Sequence, residues 1–297
     1  MDKLYSPATV KKIINEYGFN ISKSLGQNFL ADKNIVDKII EGAEISSDDL
    51  VIEIGPGLGV LTAAAAERAR RVIGIEIDSV LIPILKETLA GYKNIRIINE
   101  DFLKTNMYDL ISRADLGNKE KFSGVKLIGN LPYYISSPII MKVLREQAEK
   151  SLNIQSLTVM MQKEVGERIR ATPGSKTYGA LSIAVQYYCT VDTVAKVPGS
   201  VFVPKPKIDS VVLRLKIREN PPVKLKDEAI FFSLVKTSFS QRRKTLRNSL
   251  VGIREMDKTA VITLLNSARI DPVRRAETLS LDEFAAVANL LAEKVNL

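Results

Sequence analysis

The 297-residue chain has no histidine and a single cysteine, Cys189. Without imidazole it lacks the usual general base near neutral pH and the commonest zinc ligand. One thiol excludes an internal disulfide and a cysteine cluster, so no metal is expected. No stretch reaches the ~18 uninterrupted apolar residues of a membrane span. The opening Met1-Asp2-Lys3-Leu4-Tyr5-Ser6-Pro7 lacks the apolar core of a signal peptide, and its acidic residue argues against a transit peptide. The expectation is a cytoplasmic protein free of membrane. Acidic residues are also short, 34 against 43 Lys and Arg, which leaves a net charge of +9. That surplus favours a polyanionic partner such as nucleic acid.

What is present is a repeated strand-then-helix pattern. Ser6-Pro7 opens a helix that Gly18 stops, and Asp32 caps a second one carrying Ile35, Val36, Ile39 and Ile40 on its apolar face. Strands are expected at Leu50–Ile54, Val72–Ile77, Ile95–Asn99, Val125–Ile128 and Leu157–Gln162, with helices between them. Ser136-Ser137-Pro138 reads as a helix cap. Val191–Val197 and Ser210–Ile217 read as a strand pair flanking Phe202-Val203-Pro204-Lys205-Pro206-Lys207, a stiff basic loop. This makes a mostly parallel α/β sheet over the first ~215 residues. Past the linker Asn220-Pro221-Pro222 only helical patterns remain, the last at Leu281–Val295. Two domains are expected, residues 1–219 and a smaller all-helical 220–297.

Polar residues cluster where strands end, the place where open α/β sheets bind ligands. Gly55-Pro56-Gly57-Leu58-Gly59 follows the first strand and lets a ligand approach the backbone. A dinucleotide fingerprint would need glycine at position 60, which is Val60, so a smaller nucleoside with a short tail fits better than a pyrophosphate. Glu76 ends the next strand, about 20 residues after Gly55, where a carboxylate can accept both ribose hydroxyls. Asp101, after the third strand, can accept from an adenine amino group. Asn130-Leu131-Pro132-Tyr133-Tyr134 then offers an amide, a stiff turn and aromatics to a flat, hydrogen-bonding base. Each feature alone is also an ordinary turn or cap residue; three successive strand ends beside a glycine loop describe an adenosine pocket. The densest basic run is Gln241-Arg242-Arg243-Lys244-Thr245-Leu246-Arg247, and Arg242, Arg243, Lys244 and Arg247, with Lys205 and Lys207, are the candidate RNA contacts.

Together, Leu25-Gly26-Gln27-Asn28-Phe29-Leu30, Glu53-Ile54-Gly55-Pro56-Gly57-Leu58-Gly59, Glu76-Ile77-Asp78, Asp101, Asn130-Leu131-Pro132-Tyr133, Phe202-Val203-Pro204-Lys205-Pro206 and Gln241-Arg242-Arg243-Lys244 resemble the ribosomal RNA adenine dimethyltransferases, most closely their bacterial small-subunit branch. The motifs follow the family's order over nearly the whole chain. The resemblance implies a class I methyltransferase (Rossmann-like) fold that uses S-adenosylmethionine. It implies a cofactor site lined by Asn28, Leu30, Gly55, Glu76, Asp101 and Asn130. It implies that two neighbouring adenosines in the 3′-terminal hairpin of 16S rRNA are each methylated twice on N6, within the small ribosomal subunit, by a protein expected to act as a monomer. Asn130 and the Leu131 carbonyl would grip the amino group while Tyr133 and Phe202 hold the base faces. No histidine is needed, because a methylated adenine nitrogen is acidic enough to release its proton to water.

Two other readings stay open. A 23S rRNA adenine methyltransferase shares the Asn–Leu–Pro–Tyr motif, although the ~75 residues after Pro222 exceed its usual helical domain. A ribosome-assembly or RNA-binding factor with methylation secondary is the alternative from another class.

Overall fold

The near-continuous apolar runs Leu50–Ile54 (β2) and Val125–Asn130 (β5) suit strands covered on both faces, and they pair at the middle of a parallel sheet. The protein is described here by a computed structural model covering residues 4–19, 21–22, 25–115 and 121–293. Lys23 and Ser24 of the expected N-terminal loop, and the last two residues of the expected Leu281–Val295 helix, lie outside that set.

Before β2 come α1 (Pro7–Glu16), the two-residue strand β1 (Phe29–Leu30) and α2 (Lys33–Gly42). Between β2 and β5 lie α3 (Val60–Ala66), β3 (Arg71–Glu76), α4 (Leu81–Thr88), β4 (Ile95–Asn99) and α5 (Met107–Asp115). Then follow α6 (Ser136–Lys150), β6 (Ile154–Gln162), α7 (Lys163–Arg170), α8 (Ala180–Tyr188), β7 (Cys189–Val197), β8 (Phe202–Val203) and β9 (Ser210–Ile217). The helices α9 (Glu228–Phe239), α10 (Leu246–Ser249), α11 (Lys258–Ser267) and α12 (Leu281–Glu293) complete the chain.

The seven-stranded sheet has the order β4-β3-β2-β5-β6-β9-β7. Strands β2 to β6 pair in parallel, and β9 runs antiparallel to β6. The chain winds outward through β3 and β4, then returns to place β5 on the other side of β2. The strand order therefore reverses between β2 and β5, which opens a crevice beyond their carboxyl ends. Gly55 leaves β2 at that crevice and Asn130 ends β5 there. Buried residues of α2 and α3 cover one part of the sheet, while those of α1 and α4 join Phe29 in a second cluster.

Compact packing divides the chain into residues 1–166 with 191–217, and residues 167–190 with 218–297. The excursion 167–190 thus joins residues 218–297 in the second unit. The reason is apolar: Tyr178, Ile183 and Tyr187 are buried in the same cluster as Phe231, Leu234 and Phe284 of the C-terminal helices. Among the described residues no helix is long and apolar enough to cross a membrane. Ser6 and Asp32 cap their helices as expected, accepting from the Thr9 and Ile35 amides. Ser136 and Ser137 do not cap α6. They are its first helical residues, Ile135 is the N-cap without a side-chain bond, and Ser136 Oγ donates to the Tyr133 carbonyl.

Candidate active site

The first unit holds a cavity at the strand-order reversal, lined by the segment Leu25–Leu30, the glycine turn, Glu53, Glu76, Ile77 and residues Asn130–Tyr133. Each wall follows from local chemistry. Gly55, Gly57 and Gly59 all have positive φ, so the chain turns tightly from β2 into α3. A Cβ at Gly57 would stand 3.3 Å from the Phe29 ring, which keeps this turn slim against the N-terminal segment. The Gly57 amide donates to Glu76 Oε2 at 3.0 Å and the Asp78 amide to Oε1 at 2.9 Å. Burial raises the Glu76 pKa, while these two amide bonds counter it. The carboxylate is thus held rigid at the end of β3, with lone pairs remaining for ligand hydroxyls.

Glu53 lies beneath the glycine turn and is 1% exposed. Thr62 donates its hydroxyl to Glu53 Oε2. Burial, with the nearby Glu76 charge adding to it, pushes the Glu53 pKa up to about 8. At neutral pH it is a neutral acid in the cavity wall, able to donate a hydrogen bond or to ionise when a cation arrives.

Asn130 ends β5 with its amide orientation fixed. Nδ2 donates to the Asn28 carbonyl at 2.8 Å, so the amide must keep Oδ1 on its other side. Among the described residues nothing donates to that oxygen or to the Leu131 carbonyl, whereas the Leu131 amide donates to the Met160 carbonyl. Two unspent acceptors therefore sit next to each other at the cavity. Tyr133 is held by a 2.8 Å hydrogen bond between its hydroxyl and Ser210 Oγ, and burial raises its pKa. Phe29 and Leu30 form a two-stranded antiparallel ribbon with Val203 and Phe202, seating the N-terminal segment over the cavity. Gln27 ties the segment down twice: its Oε1 accepts from the Ser22 amide, and its Nε2 donates to Asp78 at 2.6 Å.

Of the residues expected here, Asn28, Leu30, Gly55, Glu76, Asn130, Leu131 and Tyr133 line one cavity. Asp101 does not line it; its Oδ1 accepts from the Leu103 amide two residues on, a local turn. Phe202 also stands off the cavity. It pairs with Leu30 and is buried, 3% exposed, in the cluster that includes Leu30, Ile35, Met160 and Val212. Lys205 and Lys207 are exposed. In the second unit Arg242, Arg243 and Lys244 are exposed, but Arg242 also donates to the Lys176 and Tyr178 carbonyls. Arg247 is half-buried. Sequence reasoning gave no role to Glu53, although a lone carboxylate inside a buried strand was a usable signal. The Tyr133–Ser210 bond, spanning 77 positions, had no signal at all.

Among the described residues no cluster of His, Cys, Asp and Glu is arranged to hold a metal ion. The residues do fit S-adenosylmethionine. A positively charged ligand would meet the two buried carboxyl groups of Glu53 and Glu76, Glu76 would accept ribose hydroxyls, and the apolar Ile77 beside it would offer a surface to adenine.

Comparisons with known proteins agree with this chemistry. The family described as "Ribosomal RNA adenine dimethylase" matches residues 18–293. The "Ribosomal RNA small subunit methyltransferase A" of Alkaliphilus oremlandii is 51% identical over 99% of this chain and 100% of its own length. That of Clostridioides difficile is 47% identical over 100% of this chain and 99% of its own. A dimethyladenosine transferase from Plasmodium falciparum has a similar structure, with TM-score 0.71 and 29% identity over 90% of this chain and 97% of that one. The 23S rRNA methyltransferase ErmE gives 0.64 and 28% over 89% of this chain and all of that one. With the match spanning the Asn130–Tyr133 turn, the glycine turn and the C-terminal helices alike, the chain belongs to the ribosomal RNA adenine dimethylase family, class I methyltransferases that take their methyl group from S-adenosylmethionine.

Proposed function

We propose that this enzyme dimethylates N6 of two adjacent adenosines in the 3′-terminal hairpin of 16S rRNA, acting on the small ribosomal subunit. The observation that carries the reading is the Asn130 amide, whose Nδ2 is spent on the Asn28 carbonyl, which leaves Oδ1 and the neighbouring Leu131 carbonyl as the acceptors at the cavity. An adenine amino group has two hydrogens and a lone pair delocalised into the ring. Accepting both hydrogens pulls the nitrogen toward a pyramidal shape and frees its lone pair for attack.

S-adenosylmethionine supplies an electrophilic methyl group on a sulfonium. Around it the chain's own residues bind and orient: Glu76 takes the ribose hydroxyls, and the Leu25–Leu30 segment excludes water. Tyr133, braced by Ser210, packs against the target base, which must leave its stack to enter. Pro132 stiffens the turn that aims the Leu131 carbonyl. The product nitrogen loses its proton to water, so no side-chain base is required. Orientation and electrostatics carry most of the acceleration. After the first methylation one hydrogen remains for the clamp, and either acceptor suffices for the second.

The test is transfer of labelled methyl groups to small subunits lacking the modification, followed by mapping of the labelled nucleotides. Label on two neighbouring adenosines of 16S rRNA is the expected result, and absence of incorporation refutes the reading. A 23S rRNA product would favour the ErmE-like alternative. That structure is 28% identical to this chain, against 47–51% for the small-subunit relatives, which supports the small subunit.

A further inference from the structure

Tyr134 follows the cavity residue Tyr133 and is 58% exposed, the most exposed large hydrophobic side chain among the described residues. Scattered exposed aromatics are ordinary on protein surfaces, but three features set this ring apart. The first is its seat. A Cβ built on Gly26 would lie 3.5 Å from Tyr134 Cε1 and 3.7 Å from Pro132 Cβ, so the ring edge faces Gly26 across a methyl-sized space. That places the ring beside the segment covering the cavity.

The second feature is the neighbouring charge. The 204–209 loop is pinned to the cavity at both ends, since Val203 pairs with Phe29 and Ser210 bonds Tyr133. The exposed Lys205 and Lys207 lie on this loop, whose flanks are both tied to cavity residues, and a nucleic-acid backbone entering the site needs cations. The third is a need created by the reaction. Turning an adenosine out of its stack strips one face from the next base, which costs a few kcal/mol. An aromatic ring at the mouth can replace the lost neighbour.

We propose that Tyr134 is the stacking platform for the nucleotide next to the adenosine being methylated. The inference rests on the reading of the cavity as an adenosine-N6 site. On a substrate with two adjacent target adenosines, one occupies the cavity while the other lies on Tyr134, held one step from entry.

The experiment compares Tyr134→Ala and Tyr134→Phe with the wild type on small subunits lacking the modification. It measures KM for subunits, kcat and S-adenosylmethionine affinity. Stacking on one base makes a difference of about tenfold or more. Tyr134→Ala is therefore expected to raise KM for subunits about tenfold with cofactor affinity unchanged, and Tyr134→Phe to restore it. A KM within twofold of wild type overturns the proposal. So does a parallel loss of cofactor affinity, which would make the ring a prop for the covering segment. Wild-type activity on the same subunits is the control: its absence would refute the methylation reading itself.

Discussion

Asn130 and Glu53 show how much one hydrogen bond or one desolvated carboxyl can decide. Replacing Asn130 by Ala removes the acceptor oxygen and the bond to the Asn28 carbonyl together. Loss of one preorganised polar contact to the reacting group costs roughly 10²–10³ in kcat. Cofactor affinity should change no more than about tenfold, the worth of one neutral hydrogen bond. Single-turnover methyl transfer and a cofactor titration would check this. The variant should still bind small subunits, separating any assembly role from catalysis. For Glu53 the sign follows from its proton. Folded Glu53 keeps it up to about pH 8, whereas an unfolded glutamate loses it near 4.5. The folded state holds the extra proton across that window, so this group's contribution to stability falls as pH rises from about 5 to 8. Glu53→Gln has no such proton to lose. Its melting temperature should lie near that of the wild type at pH 5 and exceed it by a margin that widens toward pH 9. A constant offset across that range would show that burial of the carboxyl does not act this way.

Elements differ in how well the sequence announces them. β2, β5 and β9 were legible because their apolar runs are long and bounded by turns. The glycine turn after β2 and the polar residues that end β3 and β5 were legible for the same reason, since strand ends mark the crevice. α7 was missed: it has eight residues, and its apolar face is the single pair Val165 and Ile169. The β1–β8 ribbon was invisible, because two residues per strand carry no period and the pairing depends on the fold that joins them. That ribbon also sets the place of Phe202: its motif suggests a base-facing aromatic, and strand pairing puts the ring in the cluster beside the cavity residue Leu30. The segment before the ribbon supplies the prediction at this scale. Gln27 bridges the Ser22 amide and the Asp78 carboxylate, and so latches the segment over the cofactor cavity. Cutting a charge-assisted bond of this kind costs about 1.5–3 kcal/mol. Gln27→Ala should therefore raise the cofactor Kd roughly tenfold while kcat at saturating cofactor stays near wild type. Calorimetric titration with steady-state kinetics would show it, and an unchanged Kd would mean the latch does not govern binding.

At the scale of the whole molecule, the +9 charge must be apportioned between cations that bind RNA and cations that hold the fold. Arg242 belongs partly to the fold, since it donates to the Lys176 and Tyr178 carbonyls and lies 3.6 Å from Glu277. Arg274 is likewise committed, bidentate on Glu283. Arg243 and Lys244 are exposed and have no ion-pair partner among the described residues. They are the basic residues of this run free to meet phosphates. Each phosphate contact contributes about 0.7–0.9 to the slope of log K against log salt. The double variant Arg243→Ala with Lys244→Ala should thus flatten that slope for subunit binding by about 1.5, weaken binding at physiological salt, and leave cofactor affinity and melting temperature unchanged. Arg242→Ala should lower the melting temperature, because its loss strips two carbonyls of a charged donor. Binding measured from about 50 to 300 mM salt distinguishes the two classes. If the double variant instead leaves the slope intact and lowers the melting temperature, Arg243 and Lys244 serve the helical unit, and the RNA contacts fall to Lys205 and Lys207 in the other unit.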